Sequence, residues 1–523
     1  MRQALRAKSK NPKDQVSRTV FLPAPTKGWF VGANLADAPE GTAYVLDNAF
    51  PQLDYVRMRG GSNAYATGMP SAAVNTLIPY NAASSSKLFA CCAGSIYDVS
   101  NVGAVGTAAV SGLSSSAVIE YTQFSNAGGS WLMAVNGTDP AQLYSGTTWT
   151  TSPAITGLTL GNLAFVWPYR NRIYGVVNNS LSYWYLPLNS IGGAATQVDM
   201  SGIFKKGGYI VGGSTWAVNA NSGLYQLFVV ITSEGEVAVY DGLNPADTAW
   251  TIRGQYAISR PLGRRCILPA GGDIAINTED GVVPMSKVMS LDQIALANAA
   301  VTAPIAPAFR RAVIDRAGIS GWQIMTWPLE SMAIINLPKT SASDNTQFIS
   351  NARTGAWARY TGWDANCFAV YNNKLYYGSS DGRVMQGETG GQDDGKNYTM
   401  TVFPSYSPLQ NPGIRKFVKM VRPRIQSAFG IAPQLTIRVD FDTTLPQQPS
   451  ANVVTSSGAV WDTALWDTAV WPAAISDQSA WVAAQNFGTV VSPVIQLTLS
   501  SSSTPDIRLT ATEILYENCN TLG

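Results

Sequence analysis

Along most of the chain, short apolar runs alternate with polar, turn-forming clusters. Runs of four to eight residues rich in Val, Ile, Tyr, Phe, Trp and Thr are separated by Gly, Asn, Asp, Ser and Pro. β-Branched and aromatic residues favour strands, and the separating residues favour turns. Helical periodicity is confined to residues 291–300, with a weak continuation toward Arg311. This pattern predicts an all-β fold.

One hairpin pattern recurs. Each copy has an apolar strand, a polar turn of the Asn-Asn, Glu-Gly or Asp-Gly kind and a second strand, and these dipeptides supply the positive φ that tight turns need. A spacing of roughly 40 to 60 residues matches four-stranded propeller blades. We therefore predict an irregular β-propeller of six or seven blades, with a stack of β-sandwiches as the alternative. The copies lie at residues 87–100, 131–145, 172–186, 226–240, 273–285 and 374–386.

The amino-acid composition changes near residues 387–396 (GETGGQDDGK), and the Gly- and Asp-rich composition of this segment favours a linker. We expect residues 41–390 to form the propeller-like domain and residues 397–523 to form a separate, β-sandwich-like platform domain. The strands expected in the platform domain lie at residues 398–403, 416–426, 433–441, 488–499 and 506–517.

Composition argues against catalysis. None of the 523 residues is histidine, which removes the commonest general base and a frequent metal ligand. Loops at residues 277–281, 380–382 and 393–395 contain Asp and Gly, but they lack the ligand spacing of a calcium loop, so turn chemistry explains them. We expect no enzyme, catalytic residue, metal or cofactor. A propeller hydrolase with paired carboxylates is the alternative.

Cysteine usage and hydropathy indicate where the chain folds. The five cysteines include no CxxC pair, so we expect buried, reduced thiols and folding in a reducing cytoplasm. The basic N-terminus is followed by no apolar segment, and no apolar run is long enough to cross a bilayer. We therefore expect neither a signal peptide nor a membrane span.

Basic residues concentrate in two places, the first 18 residues and the segment 415–424. The first is either a solvated terminus or an arm that docks on a neighbouring subunit or on phosphate; the second is either a solvated strand or an interface with an acidic partner. Strict alternation along a strand would place Lys416, Arg422 and Arg424 on one face and Lys419 on the other. The candidate partner-binding residues are Arg2, Arg6, Lys8, Lys10, Lys13, Arg18, Arg415, Lys416, Arg422 and Arg424.

Three stretches together resemble a known family. They are residues 44–65 (YVLDNAFPQLDYVRMRGGSNAY), residues 350–386, which contain a Thr-Gly-Ala-Trp turn and a Leu-Tyr-Tyr-Gly hairpin, and the C-terminal part. The last contains Trp461-Asp462, Trp466-Asp467 and Trp471, and ends in Ile514-Leu515-Tyr516-Glu517. This set resembles the tail nozzle, or packaged-DNA stabilisation, proteins of short-tailed phages.

The resemblance implies a structural virion protein made in the host cytoplasm and located in the tail. Six copies would form a ring below the portal and adaptor rings, retain the genome and release it on infection, with tail fibres or spikes attached. Residues 1–40 would be an N-terminal arm that contributes to the platform. This arm and residues 397–523 would contact the adaptor, and the propeller would form the distal tube. The alternative is a carbohydrate-binding β-propeller adhesin or receptor-binding tail protein.

The genome would pass through the lumen as double-stranded DNA, without sequence-specific binding. Each phosphate that Lys or Arg neutralises adds salt-dependent affinity, which would retard ejection. We therefore expect a neutral or acidic lumen, with basic residues directed at partners.

Overall fold

The regular structure is mostly strand. The computed structural model describes residues 17–32, 34–83, 85–116, 118–220, 223–453, 476–501 and 503–519. We number the strands in chain order. The first five are β1 (Arg18–Pro23), β2 (Ala43–Asp47), β3 (Ala49–Pro51), β4 (Val56–Met58) and β5 (Ser62–Thr67).

Five antiparallel sheets, which we call blades 1 to 5, follow in chain order. Blade 1 contains β6 (Val74–Asn81), β7 (Ser86–Cys92) and β8 (Ser95–Asp98), and β9 (Gly103–Ala104) follows it. Blade 2 contains β10 (Glu120–Asn126), β11 (Gly129–Val135), β12 (Gln142–Tyr144) and β13 (Trp149–Thr151), followed by β14 (Ile155–Thr156). Blade 3 contains β15 (Leu163–Tyr169), β16 (Arg172–Val177), β17 (Ser182–Tyr185) and, after β18 (Gly193–Ala194), β19 (Thr196–Asp199). Blade 4 contains β20 (Ile210–Ala220), β21 (Gly223–Thr232), β22 (Glu236–Asp241) and β23 (Thr251–Ala257), and blade 5 contains β24 (Ile267–Ala270), β25 (Asp273–Thr278) and β26 (Gly281–Pro284).

A helical insertion separates blade 5 from the last two blades. It contains α1 (Met285–Val288), α2 (Gln293–Ala299) and α3 (Ala306–Asp315), and α2 confirms the helix predicted at residues 291–300. The Asp292 carboxylate caps α2 by accepting a hydrogen bond from Ala295 N at 2.8 Å. Blade 6 contains β27 (Gln323–Trp327), β28 (Met332–Asn336), β29 (Thr346–Asn351) and β30 (Trp357–Thr361), and blade 7 contains β31 (Cys367–Tyr371), β32 (Lys374–Gly378) and β33 (Val384–Gly387).

The seven blades form a ring, because each shares an apolar cluster with the next and blade 7 shares one with blade 1. Ile78 of blade 1 packs in one cluster with Leu132 of blade 2, for example, and Ala369 of blade 7 packs in one with Leu77 of blade 1. The fold is therefore a β-propeller, as predicted. All six predicted hairpins are paired as expected. Their turns have the expected positive φ, at Asn179, Gly235 and Gly382 among others.

Blade 7 is completed by a strand from far earlier in the chain. β5 pairs antiparallel with β33, and Ser62 lies opposite Gly387. This pairing closes the ring, since it joins a segment that precedes blade 1 to the last blade. The recurring hairpin pattern did not mark β5 as a blade strand, because a single strand paired across more than 300 residues has no local partner in the sequence.

A short turn of 3-10 helix, Arg264–Cys266, lies where the first strands of the blades converge. The Arg265 guanidinium reaches across the ring from blade 5. It donates to Thr76 Oγ1, in blade 1, at 2.6 Å and to the carbonyl of Ile119, just before blade 2, at 2.9 Å. It also pairs with Glu120 Oε1 at 2.9 Å, and both side chains are 12% exposed. An ion pair thus occupies this end of the propeller axis.

The C-terminal strands build a two-sheet module. They are β34 (Thr399–Pro404), β35 (Lys416–Ser427), β36 (Gln434–Val439), β37 (Asn452–Val453), β38 (Ser476–Gln478), β39 (Val482–Gly488), β40 (Val491–Ser500) and β41 (Arg508–Asn518). One sheet has β41 and β35 at its centre, with β1 on β41 and β39 on β35; the other includes β34, β40 and β36. Val418 and Ile514 of the first sheet pack in one cluster with Ile437 and Val491 of the second, which makes a β-sandwich, as predicted.

The module and the propeller share a sheet. Its strand order is β27-β28-β29-β30-β2-β34-β40-β36, so blade 6 continues into the module. At the crossing, β2 lies parallel to β30, and Arg359 pairs with Asp47 at 2.6 Å. β2, β3 and β4 belong to the module's sheets, although they lie in the range 41–390 that we assigned to the propeller. β2 covers the edge of β30, whose backbone groups would otherwise lack partners.

Candidate functional site

The basic strand predicted at residues 415–424 lies at the centre of the module's seven-stranded sheet. β35 pairs with β41 on one side and with β39 on the other. Arg18 begins β1 and is exposed, beside β41 in the same sheet. The other basic residues of the predicted arm, Arg2, Arg6, Lys8, Lys10 and Lys13, lie outside the described residues, as do the Trp461-Asp462 and Trp466-Asp467 repeat and Trp471.

A β-bulge corrects the predicted faces of this strand. The pairing of β35 with both neighbours shifts between Val418 and Met420, so the alternation changes phase at Lys419. Lys416 points into the sandwich and is fully buried, whereas Arg422 and Arg424 lie on the outer face, where they meet Glu513. The expectation that Lys416 shares a face with them was therefore wrong.

Two carbonyl groups hold the buried Lys416 ammonium. Its Nζ donates to Asn411 O and to Thr489 O, each at 2.6 Å. Burial lowers the pKa of Lys416, since no carboxylate contacts it. These contacts tie the strand to neighbouring loops, so Lys416 serves the fold of the module and presents no charge to a partner.

Acidic residues of β41 neutralise the three other cations of β35. Arg424 donates to Glu513 Oε1 at 2.8 Å, Arg422 donates to Glu513 Oε2, and Lys419 pairs with Glu517. Burial alone would raise the pKa of Glu513, but its hydrogen bonds with the two arginines outweigh burial and lower it. The sequence did not identify Glu513 and Glu517 as the partners of these cations, because no local pattern shows that β41 lies beside β35.

Two predicted cations stay free on this surface. Arg18 and Arg415 are exposed, and neither forms an ion pair with another described residue. Apolar side chains lie exposed on the same sheet: Phe21 of β1 is 61% exposed and Phe487 of β39 is 41% exposed. The Arg415 guanidinium lies over the Phe487 ring, 5.5 Å from its centre. Phe21 lies opposite the outward-facing Glu513, whereas Arg18 lies opposite Tyr516, on the side of β1 that faces the sandwich. We call the outer surface that includes Arg415, Phe21 and Phe487 the platform face, and Arg18, which begins the edge strand β1, lies at its margin.

A second cluster of charge lies where the propeller meets the module, and its centre is Arg59 of the Arg-Gly-Gly segment. Arg59 is completely buried. Its Nη1 and Nη2 donate to Asp393 Oδ1 and Oδ2 at 2.9 and 2.5 Å, and its Nε donates to Asn48 Oδ1 at 2.8 Å. The Gly60 and Thr361 carbonyls accept the remaining two N–H groups, each at 2.8 Å. All five donors of the guanidinium are thus satisfied.

Aromatic rings enclose this arginine. The guanidinium carbon lies 3.7 Å from the centre of the Tyr398 ring and 5.1 Å from that of Trp363. Burial by itself lowers the pKa of Arg59, but Asp393 outweighs burial and holds it above its ordinary value. Asp393 lies in one of the loops whose sequence we compared with calcium loops, and its carboxylate pairs with Arg59. Among the described residues, no group of three or more Cys, Asp and Glu side chains is placed to hold a metal ion.

The two glycines after Arg59 allow backbone segments to approach each other. A Cβ on Gly60 would lie 2.5 Å from the Glu388 carbonyl carbon, and one on Gly61 would lie 2.1 Å from Gln392 O. The segment 387–396, predicted as a linker, is thus packed against residues 59–61. The need for close backbone contact explains the Arg-Gly-Gly sequence.

We expect Gly61→Ala to lower the free energy of unfolding by about 1–3 kcal/mol, because the new methyl group meets backbone that must move. Gly430→Ala is the matched control, since no atom lies within 4 Å of its added Cβ and its φ is not in the left-handed region. Its effect should stay within about 0.5 kcal/mol. Urea titration monitored by tryptophan fluorescence measures both, and equal midpoints would contradict the prediction.

The predicted burial of the cysteines is confirmed for four of the five, whereas Cys519 is only half-buried. Cys91, Cys92, Cys266 and Cys367 are buried free thiols, and burial raises the pKa of Cys367 to about 11. Such a thiol is protonated and unreactive at neutral pH. None of the helices in the described part of the chain is long and apolar enough to cross a membrane.

Comparison with known proteins gives no family. No family model matches the chain, and no curated protein matches it. Among solved structures, the computationally designed Ika8 protein aligns over 62% of this chain and 99% of its own, at 9% identity and a TM-score of 0.38. The WD40 β-propeller domain of Doa1 aligns over 62% and 96%, at 12% identity and 0.38, and YCF48 from Cyanidioschyzon merolae over 65% and 97%, at 10% and 0.32. Likeness at this level carries no argument about function.

Proposed function

We propose that the chain is a structural subunit of the tail nozzle of a short-tailed phage. Six copies form a ring below the portal and adaptor, surround the path of the genomic DNA and carry tail fibres or spikes. In this proposal the chain resides in the virion tail, is made in the host cytoplasm and has no catalytic role.

The observation that carries the proposal is where the three family-like stretches lie. Residues 44–65 supply Arg59, residues 350–386 supply Thr361 and Trp363, which contact it, and the segment ending in Glu517 lies in β41. The first two stretches are therefore adjacent at the junction between propeller and module, and β4 of the first stretch pairs with β41 at Arg508 and Leu509, in the strand that also carries the described end of the third stretch. A resemblance concentrated at this junction favours a protein whose function depends on a fixed arrangement of the propeller and the module.

The shared sheet suits such a role mechanically. Hydrogen-bonded strands run from blade 6 to β36 without an intervening linker, so force on the propeller reaches the module through backbone hydrogen bonds. A conduit that retains packaged DNA under pressure needs this continuity. A flexible joint would let each subunit swing independently.

The DNA path would lie between subunits. The Arg265 side chain alone spans one end of the propeller from blade 5 to blades 1 and 2, and a gap that one side chain bridges is far too narrow for a duplex. A channel around DNA therefore requires several copies of the chain arranged as a ring. This supports a ring of several copies; the number six is what the family resemblance implies, and the neutral or acidic lumen stays a prediction.

The proposed contact with the adaptor is the platform face. Arg18 and Arg415 retain unpaired charge there, and Phe21 and Phe487 offer apolar area, a combination typical of the core and rim of an interface. We expect an acidic surface on the adaptor ring, because opposite charges steer association and determine orientation.

Reversing both free charges should weaken docking. For the double variant Arg18→Glu, Arg415→Glu we expect at least about tenfold weaker binding to purified portal–adaptor complexes, measured by co-sedimentation, because two repulsive contacts replace two attractive ones. Arg311→Glu is the control: Arg311 is 79% exposed on α3, outside the platform face. Equal binding by the two variants would remove the platform face from the interface.

Imaging tests the function as a whole. Tailless particles that carry portal and adaptor, mixed with the purified chain and examined by cryo-electron microscopy, should gain a six-fold ring with the modules toward the adaptor. Particles that remain without a ring at saturating protein would overturn the nozzle proposal. A ring with the propellers toward the adaptor would overturn the assigned orientation.

A further inference from the structure

A cavity lined by described residues lies at the end of the propeller where the first strands begin. Its volume is about 610 Å³, which is within the usual range for small-molecule sites. Segments just before β10, β20, β24 and β27 line it, together with the end of α3. Its walls are about equally polar and apolar, unlike the blade cores.

One wall carries a cation without a carboxylate partner. Arg264 donates to the Val211 carbonyl at 2.7 Å and to Asn178 Oδ1 at 3.0 Å, and it forms no ion pair with a described residue. Its charge is half-buried, and burial lowers the pKa of Arg264. A half-buried cation whose hydrogen bonds all go to neutral acceptors is stabilised further when an anion binds beside it.

The same cavity offers an acceptor. Glu120 uses Oε1 for Arg265, while Oε2 accepts no hydrogen bond from a described residue. Burial raises the pKa of Glu120 and outweighs the opposing effect of Arg265. Glu279 lies exposed at the rim. A ligand that suits this wall therefore carries one negative charge for Arg264 and hydroxyl donors for carboxylate oxygens.

We propose that this cavity binds a small hydroxylated carboxylate of the sugar-acid class, with its carboxylate on Arg264 and its hydroxyls toward Glu120. A neutral sugar leaves Arg264 without an anion. A doubly charged phosphate lacks sufficient donors and is repelled by Glu120 and Glu279. The site is independent of the nozzle proposal, because it lies within one chain.

The test uses the full chain and D-galacturonate as probe, with binding measured by calorimetry and by ligand-observed NMR. Galacturonate should bind, and D-galactose and inorganic phosphate should bind at least about tenfold more weakly, equivalent to a loss of about 1.4 kcal/mol. Absence of galacturonate binding at concentrations up to its solubility would overturn the proposal. Equal binding of galactose or phosphate would overturn the assigned chemistry.

Two variants locate the site. Arg264→Gln removes the charge, and Ala317→Trp fills the cavity from an exposed position on its wall, so it tests the site even if Arg264→Gln disturbs the fold. Each should weaken galacturonate binding at least about tenfold. Arg260→Gln is the control, because Arg260 is 61% exposed and pairs with Glu234 outside the cavity lining. Unchanged affinity in Ala317→Trp would place the bound sugar elsewhere and overturn the proposal.

Discussion

Replacing Arg59 by Met is expected to lower the free energy of unfolding by about 3–5 kcal/mol, the usual loss when one partner of a buried ion pair is removed. Asp393 would keep its charge with its main partner gone, and the Gly60 and Thr361 carbonyls would lose their donors. The change also removes the cation that packs on Tyr398. Urea unfolding, followed by fluorescence and by circular dichroism, measures the loss.

Two comparisons separate the roles of Arg59. Arg59→Lys should be nearly as harmful, because an ammonium group has three donors and cannot reproduce the planar fork. Arg311→Met is the control, since Arg311 pairs with Asp315 on the surface of α3 and such pairs contribute about 0.3–0.5 kcal/mol. If Arg59→Lys were as stable as the unchanged protein, the five-donor arrangement would not be what stabilises the junction.

Replacing Arg265 by Met should lower stability by about 3 kcal/mol, because the loss of the guanidinium disconnects blade 5 from blades 1 and 2 and leaves Glu120 unpaired. Burial already raises the pKa of Glu120, and removing Arg265 raises it further. The folded variant then binds a proton more readily than its unfolded chain does. Its stability should therefore rise as pH falls from 8 to 5, and the gap to the unchanged protein should narrow.

Unfolding at pH 5 and pH 8 measures this dependence. The double variant Arg265→Met, Glu120→Gln is the matched control: it lacks the unpaired carboxylate, so it should recover part of the stability at pH 8 and lose the added pH dependence. A loss in Arg265→Met that is equal at both pH values would show that packing, and not the charge of Glu120, accounts for the effect.

The local features of the fold were predictable from the sequence. Strand runs, turn dipeptides and the α2 helix depend on neighbouring residues, so six hairpins were identified from their patterns. The aromatic pairs between Tyr144 and Trp149 and between Tyr240 and Trp250 follow from adjacent strands within one blade. Blade 6 was missed as a hairpin, because its β28–β29 connection carries no Asn-Gly or Asp-Gly dipeptide.

The candidate partner site was only partly predictable. The sequence placed a basic strand at residues 415–424, and that strand exists. The faces of its side chains depended on a bulge at Val418–Met420, and a one-residue shift reverses every later position. Which cations stay free depended on β41, whose Glu513 and Glu517 lie about a hundred residues away in sequence.

By itself, the sequence determined most of the secondary structure and the spacing of the blade hairpins, and it excluded catalysis that needs histidine. These features depend on residue type and on short spacings along the chain. The tertiary structure alone decided how the ring closes through β5, how blade 6 continues into the module, and which charges are buried. Those features join residues more than a hundred positions apart, such as Arg59 with Asp393 and Arg265 with Glu120. Pairings of this kind leave no local pattern, since their energy comes from contacts that exist only once the chain has folded.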